Sequence, residues 1–233
     1  MFSALLTLTR KTTEEDNLYS SPGLTGLQEK VSSLKHESWP ETPLVGEFVV
    51  FDTETTGLNC KKGDEIISFG AVRVSKGEIT SHFYELVNPF RPIPEQATQI
   101  TGITDEMVAG CPDILQVLDK FLEFQAATPL IAHNAAFDLG FINIKLRKYC
   151  GSRLKAPTID TFILSHLLFP LAECHSLDCL AKAYGISTVG RHTSLGDAII
   201  TAHVFAAMAE DLATRGINTT HDLARYLQYK KLV

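Results

Sequence analysis

The sequence predicts an α/β domain built on a mixed sheet, and three observations carry that prediction. Phe48-Val49-Val50-Phe51 is a short apolar run stopped by polar residues, as in a buried strand. Glu65 to Val74 and Glu78 to Val87 are further strand-like stretches joined through Lys76-Gly77, so they pair as an antiparallel hairpin. Beyond them helical stretches alternate with short apolar ones, the pattern that adds parallel strands.

Taken in order, residues 1–46 show no sustained period. They are rich in Ser, Thr, Glu and Lys and are punctuated by SPGL and WPETP. They read as an extension, with room for one short helix, that packs on the domain or links to something else. The texture changes at Glu47. After the hairpin, Pro89, Pro92 and Pro94 break the chain. Thr104 is placed to cap a short helix from Asp105 to Ala109. Asp113 to Ala127 carries Ile114, Leu115, Val117, Leu118, Phe121 and Leu122 at helical spacing. Leu130-Ile131-Ala132 is a fourth strand, followed by a helix from Ala135 to Tyr149. Thr158 to Asp160 is a fifth, leading into a helix that ends near Phe169. Further helices run from Ser176 to Tyr184, with Gly185 as a stop, and from Ser194 to Thr214. The stretch from Asn218 reads as one more amphipathic helix. The organisation expected is an extension over 1–46, a main domain over 47–215 and a helical tail over 216–233.

Composition narrows the class. Of 233 residues, 45% are hydrophobic and 21% charged, the balance of a soluble globular chain. No apolar stretch approaches the roughly 18–20 residues of a membrane span. The N-terminal run has no basic residue before it, so no secretory signal and no membrane are expected, and the cytoplasm is the default compartment. The net charge of −6 argues against a nonspecific nucleic-acid coat. It argues less against an enzyme, because carboxylates gathered around a metal count as negative until the ion arrives. The five cysteines (60, 111, 150, 174 and 179) are expected as buried or surface thiols without a disulfide framework. Cys174, His175 and Cys179 lack the paired spacing of a zinc site. His133, His166, His175 and His203 are read as structural.

Three segments carry the chemistry. Asp52 and Glu54 lie two apart in a strand and so share a face. Carboxylates so close repel unless a cation sits between them, which suits Mg²⁺ or Mn²⁺. Asp138 falls early in a helix behind His133-Asn134, with Asn134 a plausible N-cap. His192 precedes another helix that carries Asp197 in its first turns. Each segment alone has a plain structural explanation: a solvated strand end, an aspartate favouring a helix dipole, a surface loop. Together they supply what two-metal phosphoryl displacement needs, several carboxylates around two ions and a base of pKa near 7. The basic run of Lys145, Arg147, Lys148, Arg153 and Lys155 either steers a nucleic-acid backbone or is a solvated helix end.

The segments FVVFDTETTGL, IAHNAAFDLGFI and RHTSLGDAIITA resemble, as a set, the three motifs of the DEDDh exonucleases, in particular their polymerase-associated proofreading members. The resemblance covers about residues 47–210. It implies a ribonuclease-H-like mixed five-stranded sheet with helices on both faces. It implies 3′→5′ removal of nucleoside monophosphates, with two divalent ions, Mg²⁺ or Mn²⁺, on Asp52, Glu54, Asp138 and Asp197. His192, five residues before Asp197, is implied as general base. Thr55, Gly57 and Leu58 are implied contacts of the terminal nucleotide, with Phe137 lining its pocket or packing in the core. Asn134 caps its helix or touches substrate. The segment Ile100 to Thr104 matches a further family stretch near the 3′ end, which implies Thr101 as a substrate contact, although some members carry histidine there. Thr55 resembles polymerase-associated members, where oligoribonucleases tend to carry methionine, so single-stranded DNA 3′ ends are expected ahead of RNA. The segments outside the motifs are expected to tether a polymerase or another protein. The rival reading of another class is an interaction module. A third is a metal-dependent phosphatase acting on small phosphates.

Overall fold

A computed structural model describes residues 23–33 and 41–229. Five strands form one sheet: β1 (Glu47–Thr55), β2 (Ile66–Ser75), β3 (Glu78–Leu86), β4 (Leu130–Ala132) and β5 (Thr158–Asp160), in the order β3-β2-β1-β4-β5. The first three pair antiparallel and the last two run parallel to β1. The mixed sheet is the one expected. Lys76 and Gly77 both take positive φ, 53° and 81°. Two left-handed residues match the twist of flanking strands, so this turn closes the β2–β3 hairpin tightly.

The helices are α1 (Gly23–Ser33), α2 (Glu95–Thr101), α3 (Asp105–Val108), α4 (Ile114–Gln125), α5 (Ala135–Cys150), α6 (Thr161–Leu168), α7 (Leu177–Ala183), α8 (Ser194–Thr214) and α9 (Thr220–Tyr229). Because β1 is central, its alternating side chains feed two cores. Val49 and Phe51 join Phe69, Phe121, Ile142 and Leu146 under α4 and α5. Phe48 and Val50 join Val72, Phe205, Met208 and Leu212 under α8. Phe69 and Phe121 rings meet at 4.5 Å, Phe48 and Phe205 at 5.4 Å edge to face. Asp113 caps α4 by accepting from Leu115 and Gln116 N–H, while Gln116 reaches back, a full capping box. Thr193 starts α8 by accepting from Gly196 N–H.

Four features add to or correct what was expected. Helix α1 is part of the domain: Leu27 and Val31, one turn apart, are buried in the α4/α5 core. Gln28 donates to the Tyr149 carbonyl at 2.8 Å and Lys30 donates to Asp119 and Glu123 at 2.6 and 2.7 Å. The short helix allowed within the 1–46 extension thus packs on the domain, one of the two roles expected of that extension. The rest of the extension (1–22 and 34–40, with the N-terminal apolar run) and tail residues 230–233 lie outside the described residues. Second, α2 follows Pro94 directly, because a proline with extended ψ is compatible with a helix start. Third, Cys174 and Cys179 form a disulfide, correcting the expectation of free thiols. Ser176 caps α7 by accepting from Cys179 N–H, and the fold-back brings the two Cα atoms to 6.1 Å, within bridging range. Cys60, Cys111 and Cys150 are free. Fourth, Asn134 precedes α5 with φ 62° and makes no side-chain cap bond. Asp160 replaces it, accepting from Asn134 and Ala135 N–H and also from Phe162 N–H at the start of α6.

Candidate active site

The three acidic segments converge beside the end of β1. Asp52 and Glu54 point from β1 to the α8 side, and Asp197 reaches them from the first turn of α8. Their carboxylate oxygens lie within 4.8 Å of one another. Close approach of α8 depends on Gly70, the β2 partner of Asp52. A Cβ at Gly70 would lie 2.3 Å from Leu195 N and from the Ser194 carbonyl carbon, so a side chain there is excluded by backbone. Two residues away on the same face of β2, Ser68 and Ser194 hydroxyls bond at 2.8 Å and fix the same contact. Gly70→Ala is expected to cost about 2–3 kcal/mol by overpacking and to move Asp197 from Asp52. A urea midpoint equal to that of the parent, at unchanged slope, would contradict it.

Asp138, in the first turn of α5, is fully buried. Its Oδ1 accepts from Thr53 N–H at 3.1 Å and from Thr53 Oγ at 2.6 Å, so the residue between Asp52 and Glu54 holds it. Its charge acts on both neighbours: burial raises Asp52 well above the usual carboxylate range, and the charges of Asp138, Asp197 and Glu54 add to the rise. Burial and the Asp197 charge push Glu54 up to about 7. Burial also takes Asp138 to about 7 against the Thr53 hydrogen bonds. Asp197 is raised by burial, opposed by the Arg191 charge. A cluster of acids that resists ionising without a cation is chemically suited to bind one.

The remaining predicted residues are dispersed around this point. His192 is exposed, takes φ 63°, and donates its backbone N–H to Asp197 Oδ1 at 3.3 Å. Thr55 Oγ donates to the Gly57 carbonyl at 2.7 Å, and a Cβ at Gly57 would strike the Asp64 carboxylate. Leu58 is 87% exposed, a large apolar side chain standing in solvent at the turn after β1. Phe137 is half-buried against Phe141, ring centroids 5.0 Å apart. The Thr101 hydroxyl donates to Ala97 O and accepts from Ile103 N–H, so it is already engaged. Within the basic run, Lys145 pairs with Glu65 at 2.7 Å, both largely buried. Sequence reasoning missed Arg191, which pairs with both Asp197 and Asp178. Its place directly before His192 was the available signal. It also missed the double cap at Asp160. Burial and the Arg191 charge lower His133 to about 4, which keeps that imidazole neutral.

The exonuclease family model matches residues 49–205. A DNA polymerase III subunit epsilon-like protein of Rhodobacter capsulatus is 45% identical over 184 residues, 77% of this chain and 26% of that protein. The chain thus spans about a quarter of that relative's length. The DNA polymerase III subunit epsilon of Aquifex aeolicus is 38% identical over 195 residues, 83% of this chain and 96% of that protein. Among solved structures, the nuclease domain of 3′hExo, a DEDDh family member bound to rAMP, is similar with a TM-score of 0.63. It is 22% identical and the match covers 71% of this chain and 92% of that one, a likeness of fold.

Proposed function

The chain belongs to the exonuclease family, and from that footing we propose that it is a metal-dependent 3′→5′ exonuclease releasing nucleoside monophosphates from single-stranded DNA ends. The convergence of Asp52, Glu54 and Asp197 carries this reading. The donor set is all carboxylate oxygen, partly buried and destabilised in its ionised form, which fits hard divalent ions such as Mg²⁺ or Mn²⁺. Asp52, Glu54, Asp138 and Asp197 would hold two such ions. When bound, they supply polarisation of the phosphate and activation of water for in-line displacement.

The chain's own residues supply the rest. Thr53 locks the Asp138 carboxylate, so that ligand is oriented before any ion arrives. The His192 imidazole, exposed beside Asp197, takes the proton of the attacking water. Leu58 packs on the terminal base, an apolar contact that tolerates any sequence. Thr55 and the Gly57 turn set the height of that leucine, and Asn134 and Phe137 border the nucleotide from the start of α5. We assign Thr101 no phosphate contact, because its hydroxyl is engaged within α2. The relatives' names support a DNA polymerase as protein partner, and the segments outside 47–215 would carry that contact. Among the described residues no helix is long and apolar enough to cross a membrane.

The test is a panel of 3′-labelled and 5′-labelled single-stranded DNA, RNA of the same sequence, and a nucleoside monophosphate ester, with Mn²⁺ and with excess chelator. The expected result is stepwise shortening of DNA from the 3′ end in Mn²⁺ alone. Faster degradation of RNA would reassign the substrate. Undiminished hydrolysis in chelator would end the metal reading.

A further inference from the structure

Arg191 stands on the loop entering α8, flanked by Gly190 at φ 88° and His192 at φ 63°. The two left-handed residues turn its side chain back toward the sheet end. Nε and Nη2 donate to the two carboxylate oxygens of Asp178 at 2.8 and 3.1 Å, and Nη1 donates to Asp197 Oδ2. The guanidinium therefore grips an acid outside the cluster with two donors and enters the cluster with a third.

Both oxygens of Asp197 are engaged: Oδ2 by Arg191, Oδ1 by the His192 N–H. An ion that takes Asp197 must share it with these two donors, one of them a cation that repels it. The His192 N–H belongs to the backbone and leaves only if the loop moves. The Arg191 arm can leave Asp197 and keep both bonds to Asp178, which lies in the first turn of α7. The fork of a guanidinium is suited to this, because its donors are fixed in one plane and can be used separately.

We propose that Arg191 is the built-in counter-ion of the metal-free site, displaced from Asp197 by the incoming divalent ion while Asp178 retains it. This rests on the metal-site reading above. Before an ion binds, Arg191 offsets the mutual repulsion of Asp52, Glu54 and Asp197 and holds them together. It also makes ion binding weaker than the bare carboxylates would give. Arg191 acts through Asp197 and is a positioning residue.

The test is calorimetric titration of the full chain with Mn²⁺, without nucleic acid, for the parent, Arg191→Met, Arg191→Lys and Asp178→Asn. Arg191→Met is expected to bind Mn²⁺ about tenfold more tightly, the scale of one charge-assisted hydrogen bond. Arg191→Lys, which keeps the charge without the fork, falls between it and the parent. Asp178→Asn is expected to bind more weakly, because the guanidinium then has Asp197 as its remaining carboxylate. A purely structural role would weaken all three by disordering the loop. Equal or weaker binding in Arg191→Met overturns the proposal, as does equal or tighter binding in Asp178→Asn. Should Arg191→Met fail to fold, Arg191→Lys and Asp178→Asn decide with the same signs. A parent that binds no Mn²⁺ would instead remove the metal-site reading itself.

Discussion

Asp52→Ala is expected to lower hydrolysis of a labelled DNA 3′ end by at least about a thousandfold at saturating Mn²⁺, roughly 4 kcal/mol of lost transition-state stabilisation. Asp52 is the carboxylate on which the charges of Asp138, Asp197 and Glu54 all act, so its removal empties the centre of the cluster. The same removal relieves repulsion, and the metal-free variant is expected to melt no lower than its parent at pH 8. His192→Ala separates the roles. As the proposed base at the rim, His192 is expected to contribute on the order of a hundredfold in turnover, while Mn²⁺ affinity is expected to stay within about twofold. Single-turnover rates with calorimetric Mn²⁺ binding read both. An Asp52 variant retaining a tenth of the parental rate would displace this carboxylate from the chemistry.

The metal-free chain is expected to lose stability as pH rises, against the usual behaviour of proteins rich in paired carboxylates. Asp138 and Glu54 titrate near 7 in the folded state and near 4 when unfolded. Asp52 is displaced in the same direction. A raised folded value means that the native state holds the proton more firmly than the unfolded chain does. The contribution is therefore complete below about pH 4 and is lost as pH climbs through about 7. Asp52 and Asp138, both raised first by burial, carry most of the effect. Between pH 5 and 8 in chelator, the melting temperature is expected to fall by roughly 5 °C or more. Mn²⁺ should reverse the fall, because ions bind the ionised form. A melting temperature that is flat or rising over that interval in chelator would refute the account of these carboxyls.

The legible parts were those where one local rule decided. β1 was readable because an apolar run ended in two acids of one parity. The β2–β3 turn was readable because Lys76-Gly77 leaves little choice of geometry. α8 spans the bounds expected of it, since Thr193 caps it and its apolar spacing persists to Thr214. The illegible parts depend on contacts between distant segments. α1 has the sequence GLTGLQEKVSS, with two glycines and a weak period, and is held by the burial of Leu27 and Val31. Three prolines masked α2, although the last of them begins it. Asp160 reads as a strand residue and becomes the cap of two helices only once β4 and β5 are parallel neighbours. Beyond its place before His192, Arg191 carried no pattern, and its importance lies in what Asp178 and Asp197 place around it.

Helix α8 covers the Phe48 and Val50 face of β1, and it is nearly the last element in chain order. A polypeptide leaving the ribosome therefore shows its first strands long before their lid exists. During that interval the nascent sheet has one greasy side open to water and to chaperones. The acids of β1 wait as long for Asp197, so a chain ended before α8 lacks the third carboxylate of the cluster.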